Sequence, residues 1–231
     1  MQKVNRLIYL LAFVKFILPF FLQNPIYEPH RDELLYLAEG NHLAFGFMEV
    51  PPLLSVFAWI THLFGNGMFW IKIWPSLFGA FNFILVSRIV LSLGGKAFSI
   101  FLLFLSFIFS AFLRVHFLFQ PNFLEIFFYT LIAYGLIRYV ETSENRWLYI
   151  TGLGMGLGLL SNYSIVFYII SMAFALLLSP QRKIFLNKHF YYALGVAIIL
   201  FLPNFIWQYA HHFPVLHHMN ELTRQQLQYI K

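Results

Sequence analysis

Apolar residues run along this chain in blocks of roughly twenty, separated by short polar turns, which is the length a helix needs to cross a bilayer. The first block, Leu7 to Leu22, follows Lys3 and Arg6 as in a secretion signal. No small-x-small cleavage site comes after it (Pro19-Phe20-Phe21-Leu22-Gln23-Asn24), so it reads as an uncleaved first span over 1–23. Further spans are predicted near 68–90, 97–113, 121–140, 147–161, 163–179 and 190–209. Residues 24–67 break the pattern and read as an outer loop, and 210–231 as an outer C-terminal segment. Within the loop, 52–64 is too short to span and reads as an interfacial helix behind Pro51-Pro52. The expected fold is all-α, a polytopic transmembrane bundle of about seven spans in a single membrane domain over 1–231, with amphipathic interfacial helices in the first outer loop.

Composition agrees with the pattern. Of 231 residues 60% are hydrophobic and 10% charged, against about 45–50% and about 25% in soluble domains. So few charges cannot cover a water-facing globule, which excludes a soluble enzyme, a disordered tail and a nucleic-acid module. The net charge of +6 is instead a topological signal. With the N-terminus inside, nine basic residues (Lys3, Arg6, Arg88, Lys96, Arg138, Arg146, Arg182, Lys183, Lys188) fall on the inner side. Five (Arg31, Lys72, Arg114, Arg224, Lys231) fall outside, and Lys15 lies within a span. Lys15 is expected to face the bundle or to snorkel. Eight of nine histidines then share the outer side with the acidic loop, where any chemistry should reside. The absence of cysteine excludes disulfides and thiolate catalysis.

The scarce acids are unevenly spread. Glu28, Asp32, Glu33, Glu39 and Glu49 are five of nine, and include the sole aspartate. The segment 31–40 reads as a short amphipathic helix at the membrane surface, with Asp32, Tyr36 and Glu39 on one face by i, i+4, i+7 spacing. Two roles for Asp32 stand side by side and are compatible. An Asp at a helix start is a favoured N-cap with a following Glu suiting the dipole, and a partly desolvated carboxylate beside the bilayer suits a general base.

The run His30-Arg31-Asp32-Glu33-Leu34-Leu35-Tyr36-Leu37-Ala38, followed by Gly46, Glu49 and Pro51-Pro52-Leu53, resembles the first outer loop of the family 39 glycosyltransferases. These belong to the GT-C superfamily, which includes protein O-mannosyltransferases and aminoarabinose lipid A transferases. The resemblance continues through Phe69-Trp70-Ile71-Lys72-Ile73-Trp74-Pro75-Ser76, Gln120-Pro121-Asn122, the Gly-rich 152–164 and Pro203-Asn204-Phe205-Ile206-Trp207-Gln208. It implies an inverting membrane glycosyltransferase that moves a sugar from a polyprenyl-phosphate donor to a lipid, glycan or protein acceptor on the outer side. It also implies a bacterial inner membrane location. The family's base carries over to Asp32, with Glu33 beside it as the second catalytic candidate, while Glu33 and Glu49 would shape the pocket or hold a cation. Arg31, Lys72 and Arg114 are the candidates for the donor phosphate, which needs positive charge; for Lys72 and Arg114 snorkelling is the competing role. Tyr36, Glu39, Glu49 and Asn122 complete the expected pocket. Asn162 stands where relatives often carry Lys, and 231 residues correspond to the superfamily's shared core without its usual remainder.

Other signals point to less. His211 and His212 with Glu49 are candidate ligands for a divalent metal, although the spacing matches no standard zinc motif and no cofactor is required by the reading. Gly152, Gly154, Gly156 and Gly158 form two small-xxx-small pairs on two helix faces, which predicts close helix crossings. Glu125 within the fourth span needs a partner, for which Lys15 is a candidate. The competing function is a non-catalytic protein: a transporter, a lipid binder or a GT-C-derived subunit. A transporter would place its acids nearer the membrane midplane.

Overall fold

The structure, a computed structural model, describes residues 2–24, 26 and 28–225. The last predicted outer residues, 226–231 with Lys231, lie outside the described residues. Eleven α-helices account for the fold, with no strand among the described residues. They are α1 (Gln2–Leu22), α2 (Arg31–Glu39), α3 (Leu53–Leu63), α4 (Met68–Ser92), α5 (Ala97–Ile108) and α6 (Ala111–Val115). Then follow α7 (Pro121–Thr142), α8 (Arg146–Leu159), α9 (Ile165–Leu178), a 3-10 segment (Pro180–Leu186), α10 (Lys188–Ala210) and α11 (Pro214–Gln225).

Every apolar block predicted from the pattern forms helix, the one at 97–113 divided between α5 and α6, but the expectation of about seven spans is not met by length. Four helices, α1, α4, α7 and α10, are long and apolar enough to cross a membrane, and a fifth span results if α9 and the 3-10 segment, bent by 110°, count as one. One of the missing spans has a local cause. The block at 97–113 is cut where Ser110 accepts a hydrogen bond from Phe112 N and starts α6. That leaves α5 with 12 residues, roughly 18 Å at 1.5 Å per residue, against a hydrocarbon core of about 30 Å. The interfacial helices over 31–40 and 52–64 are present as α2 and α3.

Two layers share the interior. One packs α1, α4 and α5 around Ile8, Phe83, Ile100 and Phe104. The other packs α7, α8, α10 and the α2–α3 loop around Leu54, Phe123, Ile132 and Leu148. The glycines of α8 act on two faces as their spacing predicts. A Cβ at Gly152 would collide with Ala193 O of α10, and one at Gly156 would press on Leu200 and Ala197. On the other side, Gly154 lies against Ile132 of α7 and Gly158 against Phe128. Outward-facing Phe13, Phe98, Phe174, Leu178 and Ile199 are exposed, the surface that lipid rather than water would cover.

Candidate functional site

The capping of α2 begins two residues earlier than the sequence suggests. His30, not Asp32, is the N-cap: its Nδ1 accepts from Asp32 N at 3.3 Å. Glu33 completes the capping box by accepting from His30 N at 2.8 Å. The same carboxylate is fully buried and takes Lys72 Nζ on both oxygens at 2.5 and 2.7 Å, while Phe119 N donates to it at 2.6 Å. Glu33 thus ties α2 to α4 and to the turn before α7. The ring of Phe117 lies 4.7 Å from the Lys72 ammonium.

Asp32 meets a different fate one position away. Its side chain is 36% exposed. Gln120 Nε2 donates to Oδ2 at 3.3 Å, Arg31 Nε donates to Oδ1 at 3.2 Å, and His30 Nδ1 is 3.6 Å from Oδ2. Arg31 itself is 92% exposed. The carboxylate is therefore oriented by three flexible or neutral neighbours, without a buried counter-ion.

His30 and Glu33 line a cleft of about 540 Å³ together with Lys72, Arg114, Glu28 and Gln23. Two of the three cations expected for a phosphate, Lys72 and Arg114, therefore share one cleft, whereas Arg31 points to solvent. Lys72 is neutralised by Glu33, which leaves Arg114 without a carboxylate partner among the described residues. Asp32, Tyr36 and Glu39 gather as the helical spacing predicts, and Glu49 joins them from beyond α2. Burial, then the charges of Glu49, Asp32 and Glu39, push the Tyr36 phenol up to about 12. Burial first and Glu49 second push the Glu39 carboxyl up to about 8, and its Oε2 is buried without a hydrogen-bond partner. Asn122 is exposed in the first turn of α7.

The histidines do not assemble as a metal site. Glu49 lies 3.9 Å from His218 on α11, not beside His211 or His212. The His211 ring stacks on Trp207, with Nδ1 2.8 Å from Trp207 O. No group of three His, Asp or Glu among the described residues could hold a metal ion. Lys15 is likewise not the partner of Glu125. Tyr129 OH donates to Glu125 Oε1 at 2.8 Å, Ser164 Oγ donates to the same oxygen, and Asn162 Nδ2 donates to Oε2 at 3.1 Å. The position where relatives often carry Lys is therefore the one that faces this acid.

Sequence reasoning missed what holds the second half of the loop. Asn204 Nδ2 donates to Phe45 O at 2.7 Å, Gln208 Nε2 donates to Phe47 O at 3.2 Å, and Tyr163 OH donates to Asn204 Oδ1 at 3.1 Å. Gly46 lies flat against Trp207, where a Cβ would strike the indole and Asn204. Gly46 and the Asn204-to-Gln208 run were both visible as motif residues, but nothing in their spacing linked two segments about 160 residues apart.

The chain is 27% identical over 213 residues to a lipid A galacturonosyltransferase of Rhizobium johnstonii, covering 83% of this chain and 41% of that protein. It thus spans less than half the length of that relative. No solved structure matches. The sequence model of the dolichyl-phosphate-mannose-protein mannosyltransferases matches residues 49–207, from Glu49 beside the acidic face to Trp207 against Gly46. The chain belongs to that family, and with it to the GT-C superfamily of membrane glycosyltransferases.

Proposed function

We propose that this chain carries the catalytic loop of a membrane glycosyltransferase that uses a polyprenyl-phosphate sugar, with Asp32 as the general base. The observation that carries the reading is the contrast within the Asp-Glu pair. Glu33 is consumed by a buried ion pair and lines a cleft with His30, Arg114 and Lys72, while the adjacent Asp32 keeps an accessible carboxylate. In the reaction, an acceptor hydroxyl gives its proton to Asp32 as its oxygen attacks the anomeric carbon. The bond from that carbon to the phosphate oxygen breaks, and the electron pair leaves on the polyprenyl phosphate. Attack from the face opposite the leaving group inverts the anomeric configuration. Arg114 offsets the charge that gathers on the departing phosphate, as a charge-assisted donor in a low-dielectric setting.

The basic residues favour an N-terminus inside and the α2 loop outside, in a bacterial inner membrane. The galacturonosyltransferase relative, named for lipid A, directs the acceptor toward the hydroxyl of an envelope glycolipid. Asp32→Asn tests the base: transfer from a labelled polyprenyl-phosphate sugar should fall by roughly 10²- to 10⁴-fold, the usual contribution of a positioned base, with expression and thermal midpoint unchanged. Undiminished transfer would overturn the assignment.

A further inference from the structure

At the end of the bundle remote from α2, the first turns of α1, the end of α4, the start of α5 and the last third of α7 enclose a cleft of about 600 Å³. Arg88, Lys96 and Arg138 line it from three elements, with Asn5 and Tyr134 beside them. Their charges are unequally met. Arg138 Nη1 donates to Glu141 Oε2 at 2.6 Å. Arg88 has only neutral acceptors, Asn5 Oδ1 at 2.9 Å and Tyr9 OH at 3.0 Å. Among the described residues no carboxylate pairs with Arg88 or Lys96. The contacts to Asn5 and Tyr9 fix the Arg88 guanidinium in place while using two of its five N–H groups, and three remain to donate. Lys96 is the N-cap of α5; an ammonium there stands at the positive pole of a helix, a place that favours an anion.

Val4, Leu91 and Ala97 give the cleft an apolar side, next to Ser92 and Gly95. A cavity with an anchored, unpaired guanidinium, an unpaired ammonium and an apolar side fits an amphiphile better than a free ion. We propose that this cleft binds the phosphodiester headgroup of an anionic phospholipid, with an acyl chain along the apolar wall. Basic pockets between membrane helices recognise such headgroups by charge and donor geometry. A charge set that only orients the chain needs neither the cavity nor the anchoring of Arg88 by α1. The site is independent of the transfer chemistry at the opposite end.

Native mass spectrometry of the full chain in detergent, titrated with phosphatidylglycerol, reads the affinity directly. Phosphatidylcholine and inorganic phosphate serve as parallel arms. Wild type should bind phosphatidylglycerol saturably and neither comparison ligand at the same concentration. Lys96→Gln, at an exposed position, should weaken binding roughly fivefold, the equivalent of about 1 kcal/mol per basic residue at a lipid surface. Arg88→Gln with Lys96→Gln should weaken it roughly thirtyfold. Arg182→Gln with Lys183→Gln removes equal charge from the same end away from the cleft and should change affinity less than twofold. Equal losses in the two double variants, an unaffected Lys96→Gln, or equal binding of inorganic phosphate would each overturn the lipid site.

Discussion

The first outer loop is fixed to the bundle at two places by opposite chemistry. Near its start, Glu33 and Lys72 form a fully enclosed ion pair with two backbone N–H groups completing the carboxylate's shell. Near its middle, the neutral amides of Asn204 and Gln208 donate to the carbonyl oxygens of Phe45 and Phe47. A buried ion pair returns little net stability because desolvation offsets attraction, yet losing one partner strands a charge. Neutral hydrogen bonds cost less to bury and less to break. The charged anchor therefore acts as a specificity lock on where α2 sits, and the amide anchor as an ordinary contact. Asp32 takes its position from the first of these.

The largest effect should come from splitting the charged anchor. Glu33→Gln, or Lys72→Met alone, should destabilise the chain by about 3–5 kcal/mol, since each leaves one buried charge unpaired. The double variant Glu33→Gln with Lys72→Met keeps an acceptor for Phe119 N and leaves no stranded charge, so most of the loss should return. Thermal unfolding of the four proteins in detergent measures the coupling as a double-mutant cycle. Additive losses would mean that the pair does not act as a unit.

The amide anchor should break more gently. Asn204 is fully buried, and Asn204→Ala removes the donor to Phe45 O and the acceptor of Tyr163 OH. The expected cost is about 1–3 kcal/mol for the groups left unsatisfied, read as a lowered midpoint in the same assay. A loss equal to that of the single charge variants would erase the distinction between the anchors.

The difference also marks how far the sequence alone reaches. Helix positions were legible because apolar blocks, Pro121 and the glycine spacing of α8 are local signals. The shared face of Asp32, Tyr36 and Glu39 was legible for the same reason, as a period within nine residues. The fate of Glu33 was not, since its partners Lys72 and Phe119 lie 39 and 86 positions away. Nor was the pairing of Glu125 with Asn162, 37 positions apart: each was noticed separately, the one as a costly acid and the other as a missing lysine. Span count failed for a related reason. Hydropathy adds up across a capped break such as Phe109-Ser110, whereas helix length does not.

Glu39 lies between the two anchors and offers the finest test of the loop's electrostatics. Burial, and after it the like-signed charge of Glu49, pushes its carboxyl up, so the folded chain keeps the Glu39 proton up to about pH 8. An unfolded chain releases it near the ordinary value of 4.5. Folding therefore takes up a proton between these limits, and stability falls as pH rises from about 4.5 to about 8, then levels off. Water reaches part of this side chain, which screens the penalty and makes the effect smaller than that of either anchor. Glu39→Gln cannot titrate and should lose this slope, so that the variant gains on wild type across that window. Midpoints of the two proteins measured from pH 5 to pH 9 give the difference directly. A difference that stays flat with pH would place Glu39 in water, and would leave Asp32 and Tyr36 without the desolvated acidic face on which their arrangement depends.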